Sequence, residues 1–301
     1  MHKSIARSKN PSTQASQQVR ELLGSHGIRA SKALGQNFLV DTDIPEKMAR
    51  LAVAGAGCGV LEIGPGLGAL TIPLAGVAGR VAAVELDPRL VLLLREKLRG
   101  IPNVEVIQGD IMKMDIAGLV KDKLPGMEPH VCSNLPYGIT TPLLAEVIGS
   151  GVFKTVTVMV QREVAGRIDA APGSPEYGAF SVFVRYHAEP EILFDVPPEC
   201  FYPKPEVFSS VVRMRAGVKR LQDPEDEAFF FRVVRAAFSQ RRKTLVNALC
   251  ASLGGQADKG RVAEIVRKCV SDDRIRGEAL GVEEFIGLAG ELKLVLYNTE
   301  K

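Results

Sequence analysis

The apolar positions of this chain change period along its length. From about residue 59 to residue 160, short runs of strand character alternate with stretches whose apolar residues recur every three or four positions. The pattern predicts strands at 59–63, 80–85, 104–109, 129–133 and 154–160, and helices at about 68–77, 88–99, 139–149, 161–170 and 178–187. This is an α/β alternation. It implies a parallel sheet with helices on both faces, and ligands that bind at the carboxyl ends of the strands. Residues 205–215 read as one more strand, paired with a segment near Glu191–Asp195. Beyond Val218 only helical spacing remains. Asp223-Pro224-Glu225 opens a helix to about Phe238, and a second runs from about Gln240 to Leu253. Two more follow near 259–269 and 283–297, so a small all-helical C-terminal domain is expected.

The stretch ahead of the alternation is different. Residues 1–17 are polar, basic and rich in Ser and Gln, and are expected to form a disordered arm. A short helix is predicted from about Gln17 to Ser25. Residues 31–41 then show neither period and read as a packed, irregular loop. The expected organisation is a basic arm (1–17), an α/β domain (18–217) and a helical domain (218–301).

Composition adds limits. With 301 residues, 46% hydrophobic and 24% charged, the chain is ordinary globular protein, and no apolar run is long enough to cross a membrane. Its five cysteines show neither metal-ligand spacing nor a paired framework, so they read as reduced thiols and no metal is expected. The net charge of +3 conceals an uneven distribution. Residues 1–36 hold six Lys and Arg against one acid, residues 37–215 hold 17 against 21, and residues 216–301 hold 15 against 13. Basic flanks around a cofactor domain suggest a polyanionic partner, most simply nucleic acid.

Candidate chemistry begins at Val60-Leu61-Glu62-Ile63-Gly64-Pro65-Gly66-Leu67-Gly68, where a strand gives way to a helix through alternating glycines. Such a turn lets backbone approach a ligand and offers free N–H groups. Gly64, Gly66 and Ala69 fit a relaxed dinucleotide fingerprint, so the glycines alone do not choose the cofactor. The next two predicted strands each end in an acid, Glu85 and Asp110, which suits a nucleoside with a ribose and an adenine to hold. The fourth strand ends in Asn134-Leu135-Pro136-Tyr137. The Asn134 side-chain oxygen and a backbone carbonyl of Leu135 or Pro136 could each accept one N–H of an aromatic amine, with Tyr137 stacked on the ring. Two acceptors would aim the lone pair of a poor nucleophile at an electrophile.

These pieces resemble the small-subunit rRNA adenine dimethyltransferases, the bacterial dimethyladenosine transferases whose loss gives kasugamycin resistance. The likeness also takes in Gly35-Gln36-Asn37-Phe38-Leu39, Val84-Glu85-Leu86-Asp87, Gln161-Arg162-Glu163-Val164, Phe201-Tyr202-Pro203-Lys204-Pro205-Glu206-Val207 and Gln240-Arg241-Arg242-Lys243-Thr244. It covers nearly the whole chain from about residue 20. The resemblance implies a Rossmann-like fold and S-adenosyl-methionine as cofactor. Asn37, Leu39, Gly64 and Gly66 would lie against the methionine portion, Glu85 against the ribose and Asp110 against the adenine. Asn134, Leu135, Pro136, Tyr137 and Phe201 would form the catalytic site, with Asn134 also binding the methyl-bearing end of the cofactor and Tyr137 and Phe201 sandwiching a flipped adenine. Arg241, Arg242 and Lys243, at a predicted helix start, would meet RNA. The implied product is two adjacent dimethylated adenosines in a hairpin near the 3′ end of 16S rRNA. The implied setting is cytoplasmic, with a monomer acting on an immature 30S subunit and contributing to its biogenesis. Two positions depart from the family pattern: Lys204 stands where many relatives have Pro, and Gly138 where a larger residue is common. Leu135, where single-methyl enzymes more often have a second proline, is expected to let the turn yield to a second methyl group. A large-subunit rRNA or DNA adenine methylase, a nicotinamide dehydrogenase and a purely RNA-binding assembly factor are the competing expectations.

Overall fold

The structure, a computed structural model, describes residues 11–31, 35–217, 220–252, 258–270, 272 and 274–297. The chain divides into two compact units. One holds the residues up to Ala165 together with Glu191–Ala216, and the other holds Gly166–Pro190 together with the residues from Gly217 onward. The predicted boundary near 217 is thus joined by a second crossing, because residues 166–190 group with the helical unit.

The first unit runs α1 (Pro11–Ser25), β1 (Phe38–Leu39), α2 (Asp43–Ala52), β2 (Cys58–Ile63), α3 (Thr71–Val77), β3 (Arg80–Glu85), α4 (Pro88–Lys97), β4 (Val104–Gln108), α5 (Ile116–Lys123), β5 (Glu128–Asn134), α6 (Thr140–Gly149) and β6 (Thr155–Gln161). Next, α7 (Arg162–Asp169) and α8 (Ala179–His187) lead to β7 (Ala188–Val196), β8 (Phe201–Tyr202) and β9 (Ser209–Ala216). The main sheet has seven strands in the order β4-β3-β2-β5-β6-β9-β7. The pairs β2–β3, β3–β4, β2–β5 and β5–β6 are parallel, and β9 runs antiparallel to β6 with Gln161 opposite Ser209. The predicted strand at 205–215 is therefore present but starts later and reverses the sheet direction. Strand order turns back between β2 and β5. In an open parallel sheet, that switch point is where a crevice opens at the carboxyl ends.

Local chemistry accounts for these elements. All six residues of β2 are buried, as expected of a central strand covered on both faces. Helix α4 follows β3 at once because Asp87 caps it, its side chain accepting the Arg89 N–H at 3.0 Å, with Pro88 at the first helical position. The predicted arm at 1–17 lies partly outside the described residues, since 1–10 are not among them. From Pro11 the chain is helical, so α1 begins six residues before the predicted start. In the irregular loop, residues 32–34 lie outside the described residues, and Phe38–Leu39 forms a two-residue antiparallel pair with Phe201–Tyr202. That pairing is not legible locally, because its partner is over 160 residues away.

The second unit adds α9 (Pro224–Phe238), α10 (Leu245–Ser252), α11 (Lys259–Val270) and α12 (Val282–Tyr297) to α8. Asp223 caps α9 by accepting the Glu225 N–H at 2.8 Å, and three acids fill the first turn where the helix dipole favours them. The core of this unit gathers Tyr186, Phe230, Val233, Leu249, Val266 and Phe285. Tyr177, just ahead of α8, and Tyr186 within it enter this core, which accounts for the grouping of 166–190 with it. Among the described residues, no helix is long and apolar enough to cross a membrane.

Candidate functional site

Two hydrogen-bonded turns build the site at the switch point. The Ile63 N–H donates to Ser133 Oγ at 2.8 Å, which fastens the ends of β2 and β5 side by side. The glycine loop after β2 and the Asn134 turn after β5 therefore face each other across one cavity of about 300 Å³. Gly64, Gly66 and Gly68 all have positive φ, at 69°, 57° and 76°. A Cβ on Gly66 would stand 3.2 Å from the Phe38 ring, and one on Gly68 would stand 2.6 Å from Leu94 Cδ1, so a side chain would crowd these neighbours in addition to the strain set by φ. Lys97 Nζ holds the loop from beneath through the Leu67 carbonyl at 2.8 Å, and burial lowers its pKa.

The predicted cofactor residues converge on this cavity. Asn37, Leu39, Gly64, Gly66, Glu85 and Asp110 all line it. Glu85 is buried, and its two oxygens accept the Asp87 N–H at 2.9 Å and the Gly66 N–H at 3.0 Å. Burial raises its pKa, with those N–H groups working against the shift. Asp110 accepts the Met112 N–H at 3.1 Å and meets Lys113 Nζ at 3.2 Å.

The Asn134 turn is equally defined. Asn134 Nδ2 donates to the Asn37 carbonyl at 3.2 Å. A carbonyl only accepts, so this bond fixes which end of the amide is nitrogen and leaves Oδ1 to accept elsewhere. The Pro136 carbonyl already accepts Thr140 Oγ1 at 2.9 Å and the Ile139 N–H at 3.4 Å. Of the two backbone acceptors expected from sequence, Leu135 is the freer one. The Tyr137 hydroxyl pairs with Ser209 Oγ at 2.8 Å, and burial raises its pKa.

Several expectations are corrected. Phe201 is 2% exposed, packs in the apolar core with Leu39 and Met48 and does not itself line the cavity, so its stacking role is not seen in this arrangement. Leu135 is equally buried, and its N–H donates to the Met159 carbonyl at 3.1 Å, which ties the start of this turn to β6. Arg241, Arg242 and Lys243 precede α10 in a turn and are not its start. All three are exposed. Arg241 pairs with Glu278 at 3.3 Å and donates to the Pro175 carbonyl, whereas Arg242 and Lys243 make no ion pair among the described residues.

Two residues gain parts that the sequence did not assign. Glu62 is 1% exposed, lines the cavity and keeps Oε2 without a hydrogen-bond partner. Burial pushes its pKa up to about 8; Thr71 works against this and Glu85 adds to it, although the Thr71 hydroxyl falls short of hydrogen-bond geometry. An acid in the middle of an apolar central strand was the available signal. Ser209 had none, since its partner Tyr137 is 72 residues away. As for metals, Cys58, Glu128 and His130 have ligand atoms within 4.8 Å of one another, at the amino ends of the strands and away from the cavity. Both ring nitrogens of His130 already have partners, Thr155 Oγ1 at 2.7 Å and Glu128 Oε1 at 3.1 Å.

Comparison with known proteins agrees with this geometry. The sequence profile described as ribosomal RNA adenine dimethylase matches residues 27–277. A ribosomal RNA small subunit methyltransferase A from Moorella thermoacetica is 45% identical over 280 residues, covering 90% of this chain and 96% of the relative. Its counterpart from a Geobacillus strain is 42% identical over 284 residues, covering 92% and 97%. Among solved structures, a dimethyladenosine transferase from Plasmodium falciparum superposes with a TM-score of 0.73 at 25% identity, over 86% of this chain and 98% of that one. The 23S rRNA methyltransferase ErmE gives 0.66 at 28% identity, over 85% and 100%.

Proposed function

Since this chain belongs to the ribosomal RNA adenine dimethylase family, we propose that its cavity brings S-adenosyl-methionine and a flipped adenine of small-subunit rRNA together beside Asn134. The protein is an S-adenosyl-methionine-dependent rRNA adenine dimethyltransferase. The small-subunit relatives cover nearly all of both chains at over 40% identity, which favours small-subunit rRNA over the large-subunit substrate of the more distant ErmE.

The cavity fits the cofactor. It offers a carboxylate at Glu85 for ribose hydroxyls, an acceptor at Asp110 for the adenine amine, and an unpartnered buried oxygen at Glu62 facing the glycine loop. Asn37, Leu39, Gly64 and Gly66 lie where the methionine portion would rest. When bound, S-adenosyl-methionine supplies an electrophilic methyl group. The remaining work falls to this chain. Asn134 Oδ1 and the Leu135 carbonyl accept the two hydrogens of the target amine, which turns its lone pair towards the glycine-loop side of the cavity. Tyr137 offers its ring to the base, held in place by Ser209. No strong base is required, because the nitrogen becomes acidic once it gains its new bond.

The observation that carries this reading is the single cavity shared by the Gly64–Gly66 loop and the Asn134 turn. The finer proposal is that the substrate is an immature 30S subunit in the cytoplasm. There a monomer would dimethylate two adjacent adenosines near the 3′ end of the rRNA and assist subunit maturation. Arg242 and Lys243 would meet RNA phosphates. The test is transfer of labelled methyl groups to immature subunits, followed by mass spectrometry of the digested rRNA. N6,N6-dimethyladenosine at two neighbouring positions is expected. Label in large-subunit rRNA alone would overturn the substrate assignment.

A further inference from the structure

An exposed aromatic side chain, one residue along the chain from the partner of Tyr137, has no part in the arrangement described so far. Phe208 is 45% exposed, as is Val207 beside it. Its neighbour Ser209 is fully buried and holds the Tyr137 hydroxyl at 2.8 Å. Successive side chains of an extended strand point to opposite faces, so Phe208 leaves the face of Ser209 and joins that of Ser210. Ser210 Oγ donates to Asp195 at 2.6 Å, and Asp195 also meets the Arg162 guanidinium at 3.7 Å. The Arg162 N–H donates to the Phe208 carbonyl at 2.9 Å, which continues the β6–β9 ladder by one step. A half-exposed ring and a guanidinium side chain that is 65% exposed therefore share one corner of the sheet. That corner lies one residue from the side chain that steadies Tyr137.

We propose that Phe208 and Arg162 form a subsite for a nucleotide flanking the target adenosine, with the ring stacked on its base and the guanidinium on its phosphate. The inference rests on the RNA substrate proposed above. Flipping one base leaves its neighbours unstacked, and an aromatic ring accepts any base through its π-face. The Arg162–Asp195 pair is long and exposed to solvent, so a phosphate can displace the acid and gain a charge-assisted hydrogen bond. Neither residue touches the cavity that would hold the cofactor, so the subsite acts on RNA binding alone.

The test compares wild type with Phe208→Ala and Phe208→Tyr on immature small subunits, reading RNA binding and methylation in parallel. Phe208→Ala should raise KM for the subunit about five- to hundredfold, the range for losing one base–aromatic stack. Its kcat, cofactor affinity and Tm should stay at wild-type values, and Phe208→Tyr should restore KM. An alanine variant that binds as tightly as wild type overturns the subsite, whereas a wild type that binds but does not methylate overturns the functional reading instead. Ultraviolet crosslinking should join the peptide carrying Phe208 to a nucleotide adjacent to the methylated pair. A crosslink to a ribosomal protein in its place would assign this corner to a protein partner and refute the subsite.

Discussion

Asn134 Nδ2 and the Asn37 carbonyl, 97 residues apart, are joined by a 3.2 Å hydrogen bond. The bond ties the turn that would hold the target amine to the loop that lies over the cofactor end of the cavity. It gives Asn134 two duties, since the nitrogen fixes the loop while the oxygen remains for the substrate. Asn134→Ala should keep the fold and RNA binding while lowering methylation by at least about a hundredfold, comparable to losing a positioned transition-state donor. Asn134→Asp should do no better, because a carboxylate cannot donate to the Asn37 carbonyl. Single-turnover rates on immature subunits measure both, and near wild-type turnover in either variant would mean that the amine is positioned by something else.

Glu85 is bound from two sides, by the Gly66 and Asp87 N–H groups. Glu85→Ala should weaken S-adenosyl-methionine binding by about 1–3 kcal/mol, the range for losing a charged hydrogen-bond partner. It also strips an acceptor from the Gly66 N–H, so the loss should come with a less ordered glycine loop. Titration calorimetry on a folded variant decides this, and an unchanged affinity rejects the assignment.

Much of this site is legible in the sequence alone. Strand β3 is predicted residue for residue, because Val81-Ala82-Ala83-Val84 is a continuous apolar run between turn residues. The glycine loop, Glu85, Asp110 and the Asn134 turn are legible because each sits at a strand end, where local pattern and ligand geometry coincide. What escapes depends on distant partners. Phe201 is buried in an apolar cluster drawn from both ends of the first unit, the tether of Tyr137 comes from Ser209, and residues 166–190 join the helical unit through Tyr177 and Tyr186. No short-range period encodes any of these.

Glu62 makes stability depend on pH. Its folded pKa of about 8 lies above the ordinary carboxyl value of 4.5. The folded protein therefore keeps a proton that the unfolded chain releases. The associated stability is fully present below about pH 4.5 and is lost as pH rises through about 8. Glu62→Gln should remove this slope, making the cofactor-free variant more stable than wild type above about pH 8, on the order of a few kcal/mol. Denaturant unfolding of both proteins between about pH 5 and pH 9 checks it, and parallel curves would show that Glu62 is solvated or paired in solution.

The basic turn before α10 is not one uniform patch. Arg241 is occupied by Glu278 and the Pro175 carbonyl, so Arg242 and Lys243 remain for phosphate. Neutralising those two should weaken RNA binding and lower the slope of log K against log salt by about 0.7 for each lost contact on single strands. Arg241→Gln should leave the slope nearly unchanged and lower Tm instead. Equal slopes for wild type and the double variant would make the turn a solvated surface.

A yielding turn at Leu135 would have to give up a packed side chain and a backbone hydrogen bond to make room for the second methyl. That residue is buried and its N–H donates to the Met159 carbonyl at 3.1 Å, so the turn is anchored to β6. Leu135→Pro would delete this bond and empty a packed side-chain site, two costs unrelated to the number of methyl groups. Both transfers should therefore fall together, with no rise in the ratio of monomethyl to dimethyl product. The tolerance for a second methyl then has to lie in the acceptors. After the first transfer one N–H remains, and Asn134 is neutral, so an acceptor that loses its hydrogen leaves no unpaired buried charge. The Asn134 Nδ2 bond to Asn37 does not involve the amine, so the first transfer leaves this anchor of the freed Oδ1 in place. Mass spectrometry of rRNA digests over time measures the product ratio for the Leu135 variant. A selective loss of the dimethyl product would restore the turn itself as the source of room for the second methyl.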